Sequence, residues 1–217
     1  KIQGFINKLG CNTLHYLLPR EEEKMKVLFQ TKSEQNTLSK VWEQVIQLKA
    51  WLEKLDVKVS ISSFGNINLK DFDLVHIFNC YEVSDTYNFY MNAVNHKKKI
   101  VVTPFFIDMH EYYRNEAAKL AEWRVDNLLR REIMQGSNML LLHSQKEADG
   151  IHNVLCVEAL AKVIFQDWDK EGMEATIAQS ILEVYQQVLV TKNTSEGKGK
   201  FLYTQVYTLP EIKADSS

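Results

Sequence analysis

The pair best suited to proton transfer in this sequence is Asp108 and His110, a carboxylate and an imidazole two residues apart. An imidazole titrates near neutral pH and can take a proton from a hydroxyl nucleophile, and a neighbouring carboxylate can tune it. A second polar group, Ser33, Gln35, Asn36 and Thr37, offers hydroxyls and amides that suit hydroxyl-rich or phosphate ligands and suit loop capping equally well. Asn79 closes the apolar run that starts at Phe72. Of the other histidines, His76 lies inside that run and reads as a satisfied core residue, and His143 ends another run and is intermediate. His15, His96 and His152 read as surface or packing residues. Ser144 and Glu147 have the Ser-x-x-Glu spacing of a reciprocal helix cap. A Ser-His-Asp hydrolase could be assembled from such residues, but no nucleophile elbow is present. Cys11, Cys80 and Cys156 are scattered, without metal-ligand spacing, so no metal site is expected.

Those residues are of use only where strands end. Phe72 to Asn79 is an apolar run without strict alternation, the pattern of a parallel strand covered on both faces. Met25 to Gln30, Lys99 to Thr103 and Asn138 to His143 share its character, and Val57 to Ser62 is a shorter strand. Between them lie helical stretches at about 39–55, 84–95 and 115–135. Val41, Val45, Leu48, Leu52 and Leu55 form one apolar stripe. Ser84 suits an N-cap and Gly136 a C-terminal stop. Tyr87, Phe89 and Tyr90 could form a stacking platform, although core filling is the commoner role of such a cluster. The alternation predicts an α/β fold, a doubly wound, largely parallel Rossmann-like sheet with helices on both faces. In such sheets ligands bind beyond the carboxyl ends of the strands, where the polar clusters fall.

The domain reading is residues 25–154 as the Rossmann-like unit, preceded by a helical or irregular segment, 1–24. Residues 155–190 are expected to be a C-terminal helical appendage, two helices at 155–166 and 171–189 packed on that unit. Ile177, Ile181, Val184 and Val188 form the buried stripe of the second helix. A polar tail follows over 191–217, with a candidate edge strand at Phe201 to Leu209. A length of 217 residues with 45% hydrophobic and 25% charged residues supports a sizeable core and excludes wholesale disorder. A net charge of -2 argues against a dedicated nucleic-acid surface. Lys97, Lys98 and Lys99 read as a solvated turn before phosphate or lipid contact is considered. Sparse thiols fit a cytoplasmic protein, and no apolar run reaches the roughly 18 residues of a membrane span. Ile2, Phe5, Ile6 and Leu9 have helical spacing, so peripheral membrane contact stands as an alternative to packing on the chain's own domain.

Three common nucleotide and phosphate readings fail on motif. The loop after the first strand has no glycine fingerprint, the P-loop ending is missing, and Gln30-Thr31 and Phe78-Asn79 stand where a phosphoacceptor receiver needs acids. The succession of Met25 to Phe29, Phe72 to Asn79, Lys99 to Pro104 and Gly136 to Glu147 resembles the N-terminal, acceptor half of GT-B glycosyltransferases of the family 4 type. Within it, Asn138 to Glu147 is similar to the family's strand followed by Ser-x-x-Glu. Departures are also present. Thr37-Leu38-Ser39 stands where paired glycines are usual, and no two glutamates are separated by seven residues, as the family's donor site requires. The helix at 171–189 resembles the last helix of the family, which returns from the donor domain to the acceptor domain, with Trp168 ahead of it at the crossover.

The resemblance implies sugar transfer from a nucleotide-sugar to a glycan or lipid-linked acceptor, in glycan biosynthesis. It places Asp108 and His110 near the acceptor hydroxyl, and Ser33, Gln35, Asn36, Thr37 and Asn79 around the substrate. The chain itself would hold no cofactor, and the nucleotide-sugar would need a donor domain that these residues do not contain, for which a companion chain is one source. The alternative function is a noncatalytic binding or assembly subunit derived from such an enzyme.

Overall fold

In a computed structural model the chain is described over residues 24–32, 39–165, 168 and 170–191. Six strands, β1 (Lys26–Gln30), β2 (Lys58–Ser62), β3 (Leu74–Phe78), β4 (Lys99–Thr103), β5 (Met139–Leu142) and β6 (Ala161–Val163), form one sheet in the order β2-β1-β3-β4-β5-β6. Every pairing is parallel. β3 is buried at all five positions, as a central strand covered on both sides must be. Alternate side chains feed two cores. Leu28, Val75, Ile77, Val102 and Leu140 face one, with helices α2 (Val83–Asn95), α3 (Ala117–Gly136) and α4 (Gln145–Leu155). Val27, Phe29, Phe78, Val101 and Leu141 face the other, with α1 (Ser39–Glu53) and α5 (Glu174–Val190).

The doubly wound parallel sheet with helices on both faces is therefore the fold that the strand pattern predicts. Ile177, Ile181, Val184 and Val188 of α5 are all at most 3% exposed and pack in the α1 core. At roughly 1.5–3 kcal/mol per large aliphatic side chain removed from water, that stripe couples α5 to the folding of the sheet.

The first of the two helices expected at 155–166 is a correction, because this segment contributes β6 instead. α4 stops at Cys156, which adopts a left-handed conformation with φ 50°. Beyond it Val157, Ala159 and Ala161 are buried while Cys156, Glu158 and Leu160 face outward. That is a period of two, and the amide of Leu140 pairs with the carbonyl of Leu160 at 2.8 Å.

Ser84 is not the N-cap of α2. Val83 is drawn into the core at 4% exposure and starts the helix after Glu82, while the Thr86 hydroxyl donates to the Asn79 carbonyl at 2.7 Å and ties the turn. Gly136 is the last residue of α3, and its missing side chain serves packing, since a Cβ there would collide with the Tyr90 hydroxyl. Tyr90 and Phe89 are buried core residues, as is His76. The segments 1–23 and 192–217, including Phe201 to Leu209, lie outside the described residues.

Candidate functional site at the carboxyl edge of the sheet

Strand order reverses between β1, whose chain continues to β2 on one side, and β3 on the other. The crevice at such a switch point is where open α/β sheets seat ligands. Here the end of β1 carries Gln30 and Thr31, both at most 1% exposed, and among the described residues neither Gln30 Oε1 nor Thr31 Oγ1 has a hydrogen-bond partner. Buried polar atoms are normally paired, so two orphans side by side mark a place where a polar group is wanted. Above them Lys32 spans the crevice, with its Nζ 2.9 Å from Asp85 Oδ2 and also paired with Glu82. Asn79 follows β3 with φ 68°, and its Oδ1 accepts the Tyr81 amide at 2.8 Å, so this side chain shapes the turn. Ser33, Gln35, Asn36 and Thr37 lie outside the described residues.

Further along the edge, Glu147 is buried and holds two loops together. Its Oε1 accepts the Phe106 amide at 2.7 Å and its Oε2 the His143 amide at 2.8 Å. Ser144 Oγ accepts the Glu147 amide at 3.1 Å, which is half of the expected reciprocal cap. The other half differs, because the carboxylate reaches one residue further back and across to the loop after β4. This clamp holds Phe105 at φ 51°, a costly conformation for a residue with a bulky side chain. From Phe105 the rings run in series through His143 and Phe165 to Trp168 and Trp51, with centroids 4.4, 4.8, 5.3 and 4.6 Å apart.

The two tryptophans open onto a cleft of about 530 Å³. α1 contributes Lys40, Gln44, Gln47 and Trp51, a stripe at intervals of four, three and four residues, with Glu43 beside it. The connection after β6 and the start of α5 contribute Trp168, Lys170, Glu171 and Glu174. Gln47 Oε1 accepts the Trp168 indole N–H at 3.2 Å, and Gln44 Oε1 lies 3.4 Å from His143 Nε2. The cleft is thus polar and charged, with flat aromatic walls. Hydroxyl-rich ligands need that combination: amides and carboxylates exchange hydrogen bonds with hydroxyls, and ring faces accept the C–H side of a sugar.

Below the edge, His76 is fully buried, with Nδ1 2.6 Å from the Tyr185 hydroxyl and Nε2 2.8 Å from Thr103 Oγ1. Burial depresses its pKa to about 3 and raises that of Tyr185 well above the ordinary phenol. The imidazole is therefore neutral and joins β3, β4 and α5 as a structural element. Burial likewise pushes the Cys80 thiol up to about 12, with Arg130 opposing and Glu147 adding to the shift, which removes it as a nucleophile.

Asp108 and His110 are placed elsewhere. They line a separate cleft between α3 and α4, on the sheet face opposite α1 and α5. Asp108 Oδ1 accepts the backbone amide of His110 at 2.9 Å, and the imidazole Nδ1 lies 3.6 Å from Glu111 Oε1. The carboxylate facing the ring in the structure is therefore that of Glu111. Among the described residues no three His, Cys, Asp or Glu side chains gather so as to hold a metal ion, and no helix is long and apolar enough to cross a membrane.

The tryptophan cleft lies outside the residues that the sequence singles out as a site. Its one local signal is the Lys40-Gln44-Gln47-Trp51 stripe beside the apolar face of α1. Trp168 meets that stripe only through the sheet, 121 residues away from Gln47 along the chain. No protein-family model matches this chain, and no curated protein matches it either.

Proposed function

We propose that the protein is the acceptor-binding half of a GT-B-type glycosyltransferase, one that seats a glycan or the glycan portion of a lipid-linked acceptor and relies on a companion domain for the nucleotide-sugar. The observation that carries this reading is the tryptophan-walled, amide- and carboxylate-lined cleft between α1 and the segment that leads into α5. Its volume admits one or two sugar rings, within the range of small-ligand sites. The strand order resembling that family, and the missing pair of donor-site glutamates, fit the same division of labour.

A second reading, a noncatalytic binding or assembly subunit, draws on a different observation. Asp108 and His110, the acid–base pair, and the tryptophan cleft lie on opposite faces of the sheet. Binding and proton transfer would then be separated in this chain.

Titration of the chain with an oligosaccharide panel, read by tryptophan fluorescence and calorimetry, tests the proposal. Glycan binding that disappears in Trp168→Ala and Gln47→Ala is the expected result. Nucleotide-sugars should bind the chain by itself no tighter than roughly millimolar, the weak end of the affinity scale. Micromolar nucleotide-sugar binding, or no response to any glycan, would overturn it. Turnover restored by a companion chain carrying the glutamate pair would decide for the enzyme over the subunit.

A further inference from the structure

The cleft between α3 and α4 has a composition unlike that of the tryptophan cleft. Over Ala117 to Leu128 the helix α3 buries only Trp123. On its open side Arg124, Leu128 and Arg131 follow at intervals of four and three and line a concavity of about 400 Å³. Trp123 lies at its base, and Leu155 and Cys156 form the wall at the end of α4. Leu128 is 67% exposed and Val125, one turn before it, 62%. Arg124 and Arg131 make no ion pair among the described residues. Arg130, between them in sequence, is buried, with its Nε 2.8 Å from the Cys80 carbonyl and Nη2 2.6 Å from that of Tyr81. Asp108, the one acid lining the cleft, has Oδ1 on the His110 amide.

The geometry points to a docking site for an acidic segment of a partner protein. Two guanidiniums without an ion pair among the described residues flank an exposed leucine, with Trp123 at the base of the concavity, which calls for an occupant that is anionic at both ends and apolar between. Seven helical residues put Arg124 and Arg131 about 10 Å apart. On one face of an extended chain side chains recur at every second residue, so two carboxylates four residues apart, about 13 Å, come within reach of the two long guanidinium side chains with an apolar residue between them, and the matching motif is acidic-x-apolar-x-acidic. Arginine supplies bidentate carboxylate recognition, and an aliphatic anchor in a pocket supplies contact area. An anionic bilayer fits less well, because the site is concave.

A displayed library of random heptapeptides, panned against the full chain with Cys11→Ser and with Cys156 carrying an environment-sensitive fluorophore, tests this site. Enrichment of acidic residues four apart, with an apolar residue midway, is expected, with a fluorophore response to the synthetic winners. Arg124→Glu and Arg131→Glu should each weaken those peptides at least about tenfold, and lysine-swapped peptides should bind the double variant, since complementary charge sets recognition. Both positions are exposed, so circular dichroism of the variants should match the parent. Enrichment without acidic spacing, or acidic winners indifferent to both substitutions, would overturn the inference. So would parent binding to phosphatidylserine vesicles with no acidic peptide enriched, which would make the face a membrane contact.

Discussion

Lowering the pH from about 7.5 to about 5 should remove a definite amount of stability through one side chain, His76. The imidazole is enclosed between β3, β4 and α5, bonded to Tyr185 and Thr103 and stacked on Phe78 at 4.0 Å. Its folded pKa is depressed from 6.5 to about 3 by burial. A depressed value means that the unfolded chain takes up the proton first. The stabilisation is complete above the unfolded pKa and is lost as the pH falls through 6.5 towards 3. Within that window each pH unit removes up to about 1.4 kcal/mol, so the loss by about pH 5 is about 2 kcal/mol.

Other groups titrate over the same range, so the quantity to measure is the difference between the parent and His76→Gln, whose amide stays neutral. Urea unfolding of both proteins at a series of pH values gives that difference. The variant should be less stable than the parent near neutrality and should close the gap by about 2 kcal/mol towards about pH 5. With slopes of roughly 1–3 kcal/mol/M, this amounts to a relative midpoint shift of about 1 M. Parallel pH profiles for the two proteins would refute the reasoning. If the variant does not fold, the parent's His76 ring resonances decide the matter, since titration near pH 6.5 in the native state contradicts the buried neutral ring.

Ile181→Ala, at a fully buried site of α5, should cost about 2–5 kcal/mol by denaturant unfolding, and truncation before Glu174 should expose the α1 core and cause aggregation or a lower melting temperature. Cys156 should react with a thiol reagent in the native protein while Cys80 reacts only on unfolding, since the first is exposed and the second buried with its pKa pushed up to about 12. Glu147→Ala should lower stability by about 1–3 kcal/mol by leaving the Phe106 and His143 amides unpaired, and should weaken glycan binding through the displaced Phe105–His143–Trp168 ring series. Trp168→Ala should abolish the proposed glycan binding while shifting the melting temperature by only a few degrees, because its ring is partly exposed.

By itself the sequence determined the sheet. β3 is buried at every position and Ile100 to Val102 is an unbroken β-branched apolar run, and a run that repels water on both sides has few other homes than a central parallel strand. The stripe of α5 was legible for the same reason: Ile177, Ile181, Val184 and Val188 recur at helical spacing, and burial is the only way to satisfy them. β6 was hidden because three residues of modest size, Ala161, Lys162 and Val163, pair only when β5 offers an open edge. That condition is set by the completed sheet and not by local preference. The site was legible as a region and not as a set of residues. Strand ends are marked by polar clusters, but which of them meet depends on the order β2-β1-β3-β4-β5-β6. That order brings Trp168 to Gln47 and Trp51 while sending Asp108 and His110 to the opposite face, and hydrogen bonds and ring contacts across more than a hundred residues of chain leave no periodicity behind.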